Sequence, residues 1–304
     1  AVYPAFDGAG FIREALDGYE PLALMPRAWH FAHALRRHLP HDYPAAIDVL
    51  LASLGSPVPL VDELSEGAQD SMSGMNGFLY LPHVFLVAHY GLEHFADSMR
   101  AQHALTQRFT AEFSIRAFIE RYPQHSMAQL TQWAHDTSPH VRRLVSEGSR
   151  PRLPWAARLR GFQVDPTPVL ALLEHLKDDP TQYVRRSVAN NLNDIGKDHP
   201  ALLITTAQRW MLNASPQRQW LVKHALRSLI KAANPAALAV LGYGEAARVD
   251  VRNALIQPAR VAIGGAVDAS CELPNPHPHR QAVLVDCQVF FVKANGKTRQ
   301  QVFT

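Results

Sequence analysis

A short motif recurs three times along this chain, and its spacing limits the folds that the chain can adopt. The motif has the form Val-[Arg/Lys]-[Arg/His]-x-[Val/Leu] and begins at Val141, Val184 and Val222, so successive copies start 43 and 38 residues apart. A period near 40 residues with two helices per unit is typical of HEAT-like repeats, which stack into a solenoid. Residues four apart share one helix face, so the first and last positions of each copy are predicted to pack against neighbouring repeats. The two basic residues between them are expected to point to the outer or concave surface.

The sequence around the motif is helical in pattern as far as about Leu241. Apolar residues recur with a period near 3.6 in segments that short breaks of Pro, Gly, Asn or Asp separate. We therefore predict a mainly α protein with a HEAT-like solenoid over residues 1–241. The predicted helical segments include 26–38, 43–54, 105–122, 127–135, 166–176 and 200–212.

The pattern changes after Gly242. Residues 282–293 read AVLVDCQVFFVK, which is rich in β-branched and aromatic residues, and the hairpin signal Asn295-Gly296 follows. A fourth match to the motif, at Val251, is interpreted as chance because its surroundings alternate like a strand. We predict a small β domain over residues 246–304, which is incomplete unless the chain continues, since a closed sandwich needs about 100 residues.

The composition excludes several classes of protein. With 47% hydrophobic and 19% charged residues, the chain is suited to a folded protein, and its two cysteines are too few for a disulfide-stapled scaffold. Cys271 and Cys287 are expected to be small buried residues. The most apolar run, residues 77–92, contains Pro82 and is shorter than the roughly 20 residues of a membrane span. No zinc spacing and no glycine-rich phosphate loop occurs, so we expect neither a metal nor a cofactor, and no membrane partner.

The net charge of +3 hides an asymmetry along the chain. Residues 1–100 carry a balance of −7 and the remaining residues a balance of +10. Residues 141–160 contain six arginines and one acid, Glu147, and residues 201–234 contain five Lys/Arg and no acid. Each single arginine is equally well explained as part of a solvated helix face. Basic residues in register on successive repeats, however, favour a polyanion such as the backbone of a nucleic acid duplex.

Two residues within the basic zone, residues 141–234, are candidates for chemistry. Gly148, Pro151 and Pro154 break the helical pattern, which leaves Trp155 on a rigid loop. There it serves as a stacking surface or wedge, or alternatively caps the core. Asp194 shares a helix face with Asn190 and Arg186, four and eight residues earlier. It lies either near a substrate cation or in a structural network with those two side chains.

Glu112 is a second candidate acid, and it lies outside the basic zone. It stands beside the apolar pair Phe109 and Phe113, which are predicted to form a buried stripe. From periodicity alone, an ion pair with Arg108 or Arg116 four residues away is the favoured interpretation of this acid.

Five segments of the chain together resemble the AlkC branch of the AlkC/AlkD DNA alkylation-repair glycosylases. They occur in order over roughly residues 75–245. The segments are GFLYLPHVFLVAHYGLEHF (77–95), LTQRFTAEFSIRAFI (105–119), HVRRLVSEGSRPRLPWA (140–156), YVRRSVANNLNDIGKDHP (183–200) and LVKHALRSLIKAANPAALAVLGY (221–243).

This resemblance implies a fold, an activity and a set of site residues. The fold is a HEAT-like superhelix that wraps duplex DNA, with an immunoglobulin-like domain that begins in residues 246–304. The activity is that of a monofunctional glycosylase that removes cationic N-alkylated bases, such as N3-methyladenine and N3-methylcytosine, from duplex DNA without full base flipping. Glu112 and Asp194, in the TxEF and NxND stretches, take the acidic roles, and Trp155 contacts the lesion.

The resemblance also implies where the protein works and what it touches. It implies a monomeric bacterial enzyme of the cytoplasm, whose partner is duplex DNA with alkylated bases. No lysine is placed as a nucleophile, so no lyase step is expected. The alternative is a non-catalytic helical-repeat protein that binds DNA or an acidic protein through the same basic edge. The expected DNA-backbone contacts are Arg142, Arg143, Arg150, Arg152, Arg185, Arg186, Lys223, His224 and Arg227.

Overall fold

A computed structural model describes residues 2–60, 77–244 and 249–303, except residues 263, 277, 279, 281 and 282. The chain divides into two compact units, residues 1–225 and 226–304. This division lies earlier in the sequence than the boundary expected between residues 241 and 246, which stays a prediction. Each unit is described by itself.

Helices occupy most of the described chain up to residue 240. A 3-10 turn at Gly77–Tyr80 leads directly into the fourth α-helix. The α-helices are α1 (Gly8–Leu16), α2 (Leu24–His38), α3 (Tyr43–Ala52), α4 (Leu81–Tyr90), α5 (Phe95–Thr106), α6 (Glu112–Arg121), α7 (Pro123–Trp133), α8 (Pro139–Gly148), α9 (Arg160–Val164), α10 (Thr167–Leu176), α11 (Gln182–Asp198), α12 (Pro200–Met211), α13 (Pro216–Lys231) and α14 (Pro235–Val240).

The helices of the first unit form two layers. Helices α2, α4, α6, α8 and α11 pack one on the next, and α3, α5, α7, α10 and α12 lie against them on the other side. A helix of one layer alternates along the chain with a helix of the other, which is the HEAT-like arrangement that the repeat predicts. Within the described residues, no helix is both long and apolar enough to cross a membrane.

The apolar positions of the repeat motif lie in the core, as predicted. Val141 and Val145 of α8 are fully buried, and so are Val184 and Val188 of α11. Val222 of α13 is buried in the same way. The shared apolar face of each motif therefore joins one repeat to the next.

The helix predicted over residues 105–122 is in fact two helices. Helix α5 ends at Thr106, and α6 begins at Glu112. The hydroxyl of Thr110 accepts a hydrogen bond from the Glu112 backbone N–H at 3.2 Å, a local turn that competes with a continuous helix. Glu112 therefore stands in the first turn of α6, where the helix dipole favours a negative charge.

The described residues of the second unit form two antiparallel strand pairs. Strand β1 (Arg252–Gln257) pairs with β2 (Asp268–Glu272), and β3 (Cys287–Val292) pairs with β4 (Thr298–Phe303). The predicted Asn295-Gly296 hairpin is confirmed, with Gly296 at a φ of +75° in the connection between β3 and β4. The motif match at Val251 runs into β1, which supports its interpretation as chance.

The two cysteines of this unit differ from the prediction. Cys271 and Cys287 are both free and exposed rather than buried. They lie on β2 and β3, each of which belongs to a two-stranded sheet. A sheet of two strands has too little surface to bury its own side chains.

Candidate active site

A cavity of about 280 Å³ lies in the first unit beside the layer that α2, α4, α6, α8 and α11 form. The cavity brings together Glu112 and Trp155, which are predicted to act in catalysis, and Arg143, which is predicted to contact DNA. Phe109 and Phe113 form walls of this cavity instead of a fully buried stripe. The cavity is lined by Met25, Phe78, Leu81, Phe109, Thr110, Glu112, Phe113, Arg143, Trp155 and Tyr183.

The carboxylate of Glu112 is held through one of its two oxygens. The Thr110 hydroxyl donates to Oε2 at 2.8 Å, and Nη1 of Arg143 donates to the same oxygen at 3.2 Å. Among the described residues, no group donates to Oε1. The side chain is 13% exposed. The ion pair expected with Arg108 or Arg116 is therefore wrong, and the partner comes instead from the next repeat.

Arg143 connects this carboxylate to a deeper one. Its guanidinium lies over the ring of Tyr183 at 5.2 Å and reaches Glu147 at 3.8 Å. Burial disfavours the charge of Arg143, but the Tyr183 hydroxyl, Glu147 and Glu112 outweigh burial and raise the pKa of this guanidinium. Arg143 is thus a permanently charged link between the cavity and the interior.

The series of alternating charges continues through Glu147 and Arg150. Glu147 accepts from Nη1 of Arg150 at 2.6 Å and from the Ser187 hydroxyl at 2.5 Å. Burial would raise the pKa of Glu147, but Arg143 and Arg150 lower it by more, so the net pKa lies below its usual value. The buried carboxylate is therefore held ionised by the arginine on each side.

Asp194 stands at the inner end of this series, outside the cavity. It is 1% exposed, and its carboxylate pairs with Nη2 of Arg150 and with Nζ of Lys197, each at 2.8 Å. The structure places no ion pair between Asp194 and Arg186, so the network expected with Arg186 and Asn190 is not what holds this acid. Glu112 and Trp155 meet at one cavity, whereas Asp194 connects to it only through arginines.

Trp155 projects from the loop between α8 and α9. The residue is 74% exposed, so the alternative in which it caps the core is wrong. Its φ of +62° lies in the left-handed region, which is uncommon for a bulky residue. The indole is therefore available to a ligand at the edge of the cavity.

The first basic residue has a structural partner in the motifs that begin at Val141 and Val184. Arg142 is 12% exposed and donates to both carboxylate oxygens of Asp179, at 2.6 and 3.2 Å. Arg185 is buried and donates to the backbone carbonyl of Asp179 at 2.6 Å. The expectation that these two side chains point to an open surface is wrong, because both bind the turn that joins successive repeats.

Two further arginines predicted to touch DNA are also engaged within the protein. Arg150 belongs to the charge series described above, and Nε of Arg152 donates to Asp198 at 2.9 Å. The Arg152 guanidinium also lowers the pKa of Asp198 through this hydrogen bond. Arg150 lies between Glu147 and Asp194, and Arg152 is the salt-bridge partner of Asp198 among the described residues.

Other basic residues are better placed to meet a polyanion. Arg186 is half-buried and Lys223 is exposed, and neither makes a hydrogen bond or ion pair with another described residue. His224 stacks on Trp220 at 5.2 Å and reaches the Asn190 side chain at 3.3 Å, and Arg227 belongs to the second unit.

Several residues of the site were not predicted from the sequence. Thr110 and Tyr183 line the cavity, and Glu147 lies between the two arginines. Only the TxEF spacing pointed to Thr110, since a hydroxyl two residues before an acid can bond to it. Within the part of the chain that the structure describes, no three His, Cys, Asp or Glu side chains cluster in a way that suits a metal ion.

Comparison with known proteins identifies the family. Residues 250–304 match the family model described as the C-terminal Ig-like domain of the uncharacterised protein YhaZ. YhaZ of Bacillus subtilis strain 168 is 36% identical over 303 residues, which are 99% of this chain and 79% of YhaZ. A solved structure of Pseudomonas fluorescens AlkC, an alkylpurine DNA glycosylase bound to DNA containing an abasic site analogue, aligns with a TM-score of 0.85. That alignment has 38% identity and covers 99% of this chain and 79% of the AlkC chain. With this identity over almost its whole length, the chain belongs to the AlkC family, and its C-terminal residues belong to an immunoglobulin-like domain.

Proposed function

We propose that this protein is a monofunctional DNA glycosylase that releases cationic N-alkylated bases, such as N3-methyladenine and N3-methylcytosine, from duplex DNA. The observation that carries the proposal is the Glu112 carboxylate in one cavity with the exposed Trp155: Oε2 is held by two donors, and no described residue donates to Oε1. The similarity to a DNA-bound alkylpurine glycosylase supports the same reaction class.

The chemistry that these groups can perform follows from the charge of the substrate. An N3-alkylated adenine or cytosine is positively charged, so its glycosidic bond breaks with the electron pair leaving on the base and without a strong general acid. Positive charge then develops on the deoxyribose, and water attacks its C1′ carbon. A carboxylate at this point stabilises the sugar cation and accepts the proton of the attacking water. Glu112 can serve in both ways through Oε1, and Trp155 can offer its π face to the cation.

Asp194 is the second acid that we propose acts on the substrate. To do so, it must exchange one of its ion pairs. Lys197 is 44% exposed, so its ammonium group can leave Asp194 for a DNA phosphate at little desolvation cost. Arg150 would then keep the carboxylate charged and oriented while the other oxygen becomes available.

The proposal is tested by incubating the protein with methylated duplex DNA and separating the released bases by chromatography. Free N3-methyladenine or N3-methylcytosine in excess of a no-enzyme control supports the glycosylase. If no methylated base is released while duplex binding persists, the non-catalytic DNA-binding alternative replaces it. If duplex binding is also absent at low salt, an acidic protein becomes the better candidate partner.

Arg142, a first basic residue of the motif, and Arg186, a second one, are expected to respond differently to truncation. Arg186→Ala should weaken binding to every duplex sequence and reduce the slope of log K against log salt by about 0.9, the value for one phosphate contact. Arg142→Ala should leave the slope unchanged and lower the melting temperature, because Asp179 loses its partner. Fluorescence anisotropy across a salt series measures the slope for both variants, and thermal unfolding measures their melting temperatures. An unchanged slope for Arg186→Ala would place its side chain away from DNA.

A further inference from the structure

One buried arginine, Arg116, donates hydrogen bonds to the loop that carries Trp155. Nη1 of Arg116 donates to the backbone carbonyls of Gly148 at 3.2 Å and of Arg150 at 2.7 Å, and Nη2 donates to the carbonyl of Ala157. Two of these acceptors precede Trp155 in the chain and one follows it. The guanidinium therefore ties the two ends of the loop to α6.

Burial of this guanidinium is unfavourable without a close counter-charge. Among the described residues, Arg116 forms no salt bridge. Burial lowers its pKa to about 10, although the more distant charges of Glu120 and Glu112 oppose that effect. Arg116 therefore contributes to the structure through the geometry of its hydrogen bonds rather than through an ion pair.

The loop needs such support because Trp155 does not hold itself in place. Its indole is exposed, so packing fixes little of its position, and its backbone lies in the left-handed region at a φ of +62°. A strained residue of this kind persists only where the surrounding contacts determine its conformation. The contacts of Arg116 lie at both ends of the strained segment.

We propose that Arg116 is a positioning residue that holds Trp155 at the edge of the Glu112 cavity. Arg116 follows Glu112 by four residues on α6, so both side chains project from one face of the same helix. Helix α6 thus positions the Glu112 carboxylate directly. It positions Trp155 through the three backbone carbonyls that Arg116 binds. The inference rests on the proposed glycosylase activity, since it concerns how that site is aligned.

The decisive variant is Arg116→Lys, which keeps the charge but replaces a planar fork by one ammonium group. A single ammonium cannot reach acceptors at both ends of the loop in the same geometry. We expect the single-turnover rate of base release to fall about 10- to 100-fold, as small misplacements of a site group do. The Kd for duplex DNA should change less than threefold. Trp155 emission, obtained by subtracting the spectrum of the matching Trp155→Phe variant, should show stronger acrylamide quenching.

A double-mutant test separates positioning from a general structural role. In a Trp155→Ala background, Arg116→Lys should cause no further loss of rate, because the group that it positions is gone. Arg108→Lys is the matched control, since Arg108 also donates to two backbone carbonyls, those of Gly55 and Ala104, away from the loop. It should leave rate and quenching unchanged.

Three results would overturn the inference. They are a wild-type rate in Arg116→Lys, additive losses in the double mutant, and unaltered Trp155 quenching despite a lower rate. If Arg116→Lys does not fold, Arg116→Gln, which removes the buried charge, replaces it in every measurement. If the wild type itself releases no base, the proposed function fails, and the quenching of Trp155 still decides whether Arg116 holds the loop.

Discussion

The variant Glu112→Gln is expected to release alkylated bases about 10²- to 10⁴-fold more slowly than the wild type, the usual contribution of a catalytic acid or base. Glutamine keeps the shape of the side chain and can still accept from Thr110 and Arg143. It lacks the negative charge that stabilises a cationic sugar, and it cannot accept a proton from water. Single-turnover release from methylated duplex DNA measures the loss. The Kd for the same duplex should stay within a few-fold of the wild-type value.

The control for this prediction is an exposed glutamate away from the site. Glu93 is exposed and does not line the Glu112 cavity, so Glu93→Gln should retain the wild-type rate. Asp194→Asn is expected to lower both the rate and the stability, because Asp194 is buried between two cations. Full activity in Glu112→Gln would remove this carboxylate from the mechanism and leave Asp194 as the remaining acid.

The variant Glu147→Gln is expected to lose about 3 kcal/mol of its free energy of unfolding, at the lower end of what breaking a buried ion pair costs. Glu147 is the carboxylate between Arg143 and Arg150, and the amide can still accept one hydrogen bond but no longer offsets their charges. Urea denaturation followed by circular dichroism measures the change. Glu93→Gln, at an exposed position, is the control and should be neutral. A variant as stable as the wild type would mean that the two arginines need no buried counter-charge.

The lowered pKa of Glu147 also predicts how the stability of the protein depends on pH. Its pKa is lowered on folding, since Arg143 and Arg150 outweigh the effect of burial, so the unfolded chain binds a proton at a higher pH than the folded protein does. The stabilisation is complete above the ordinary pKa of a glutamate and is lost as the pH falls through the lowered value. The difference in stability between wild type and Glu147→Gln should therefore shrink on acidification below about pH 4. A difference that is independent of pH would contradict this interpretation.

Much of the fold follows from local patterns. The spacing of the repeat motif predicts the solenoid, and Val141, Val184 and Val222 are buried because residues four apart share one helix face. The hairpin between β3 and β4 follows in the same way from Asn295-Gly296. The apolar period does not show the break before Glu112, where α6 begins with a hydrogen bond from the Glu112 N–H to the Thr110 hydroxyl.

The sequence by itself determined the architecture and the set of charged residues from which the site is made. Only the tertiary structure decided which charged side chains form ion pairs with each other. Arg142 and Arg143 are neighbours in the chain, yet one binds the turn at Asp179 and the other binds Glu112 at the cavity. Likewise Asp194 finds Arg150, 44 residues away, rather than the arginine on its own helix face. Helical periodicity gives the direction of a side chain within one helix, whereas an ion pair between repeats depends on how the helices stack, and that is decided by the packing of the whole layer.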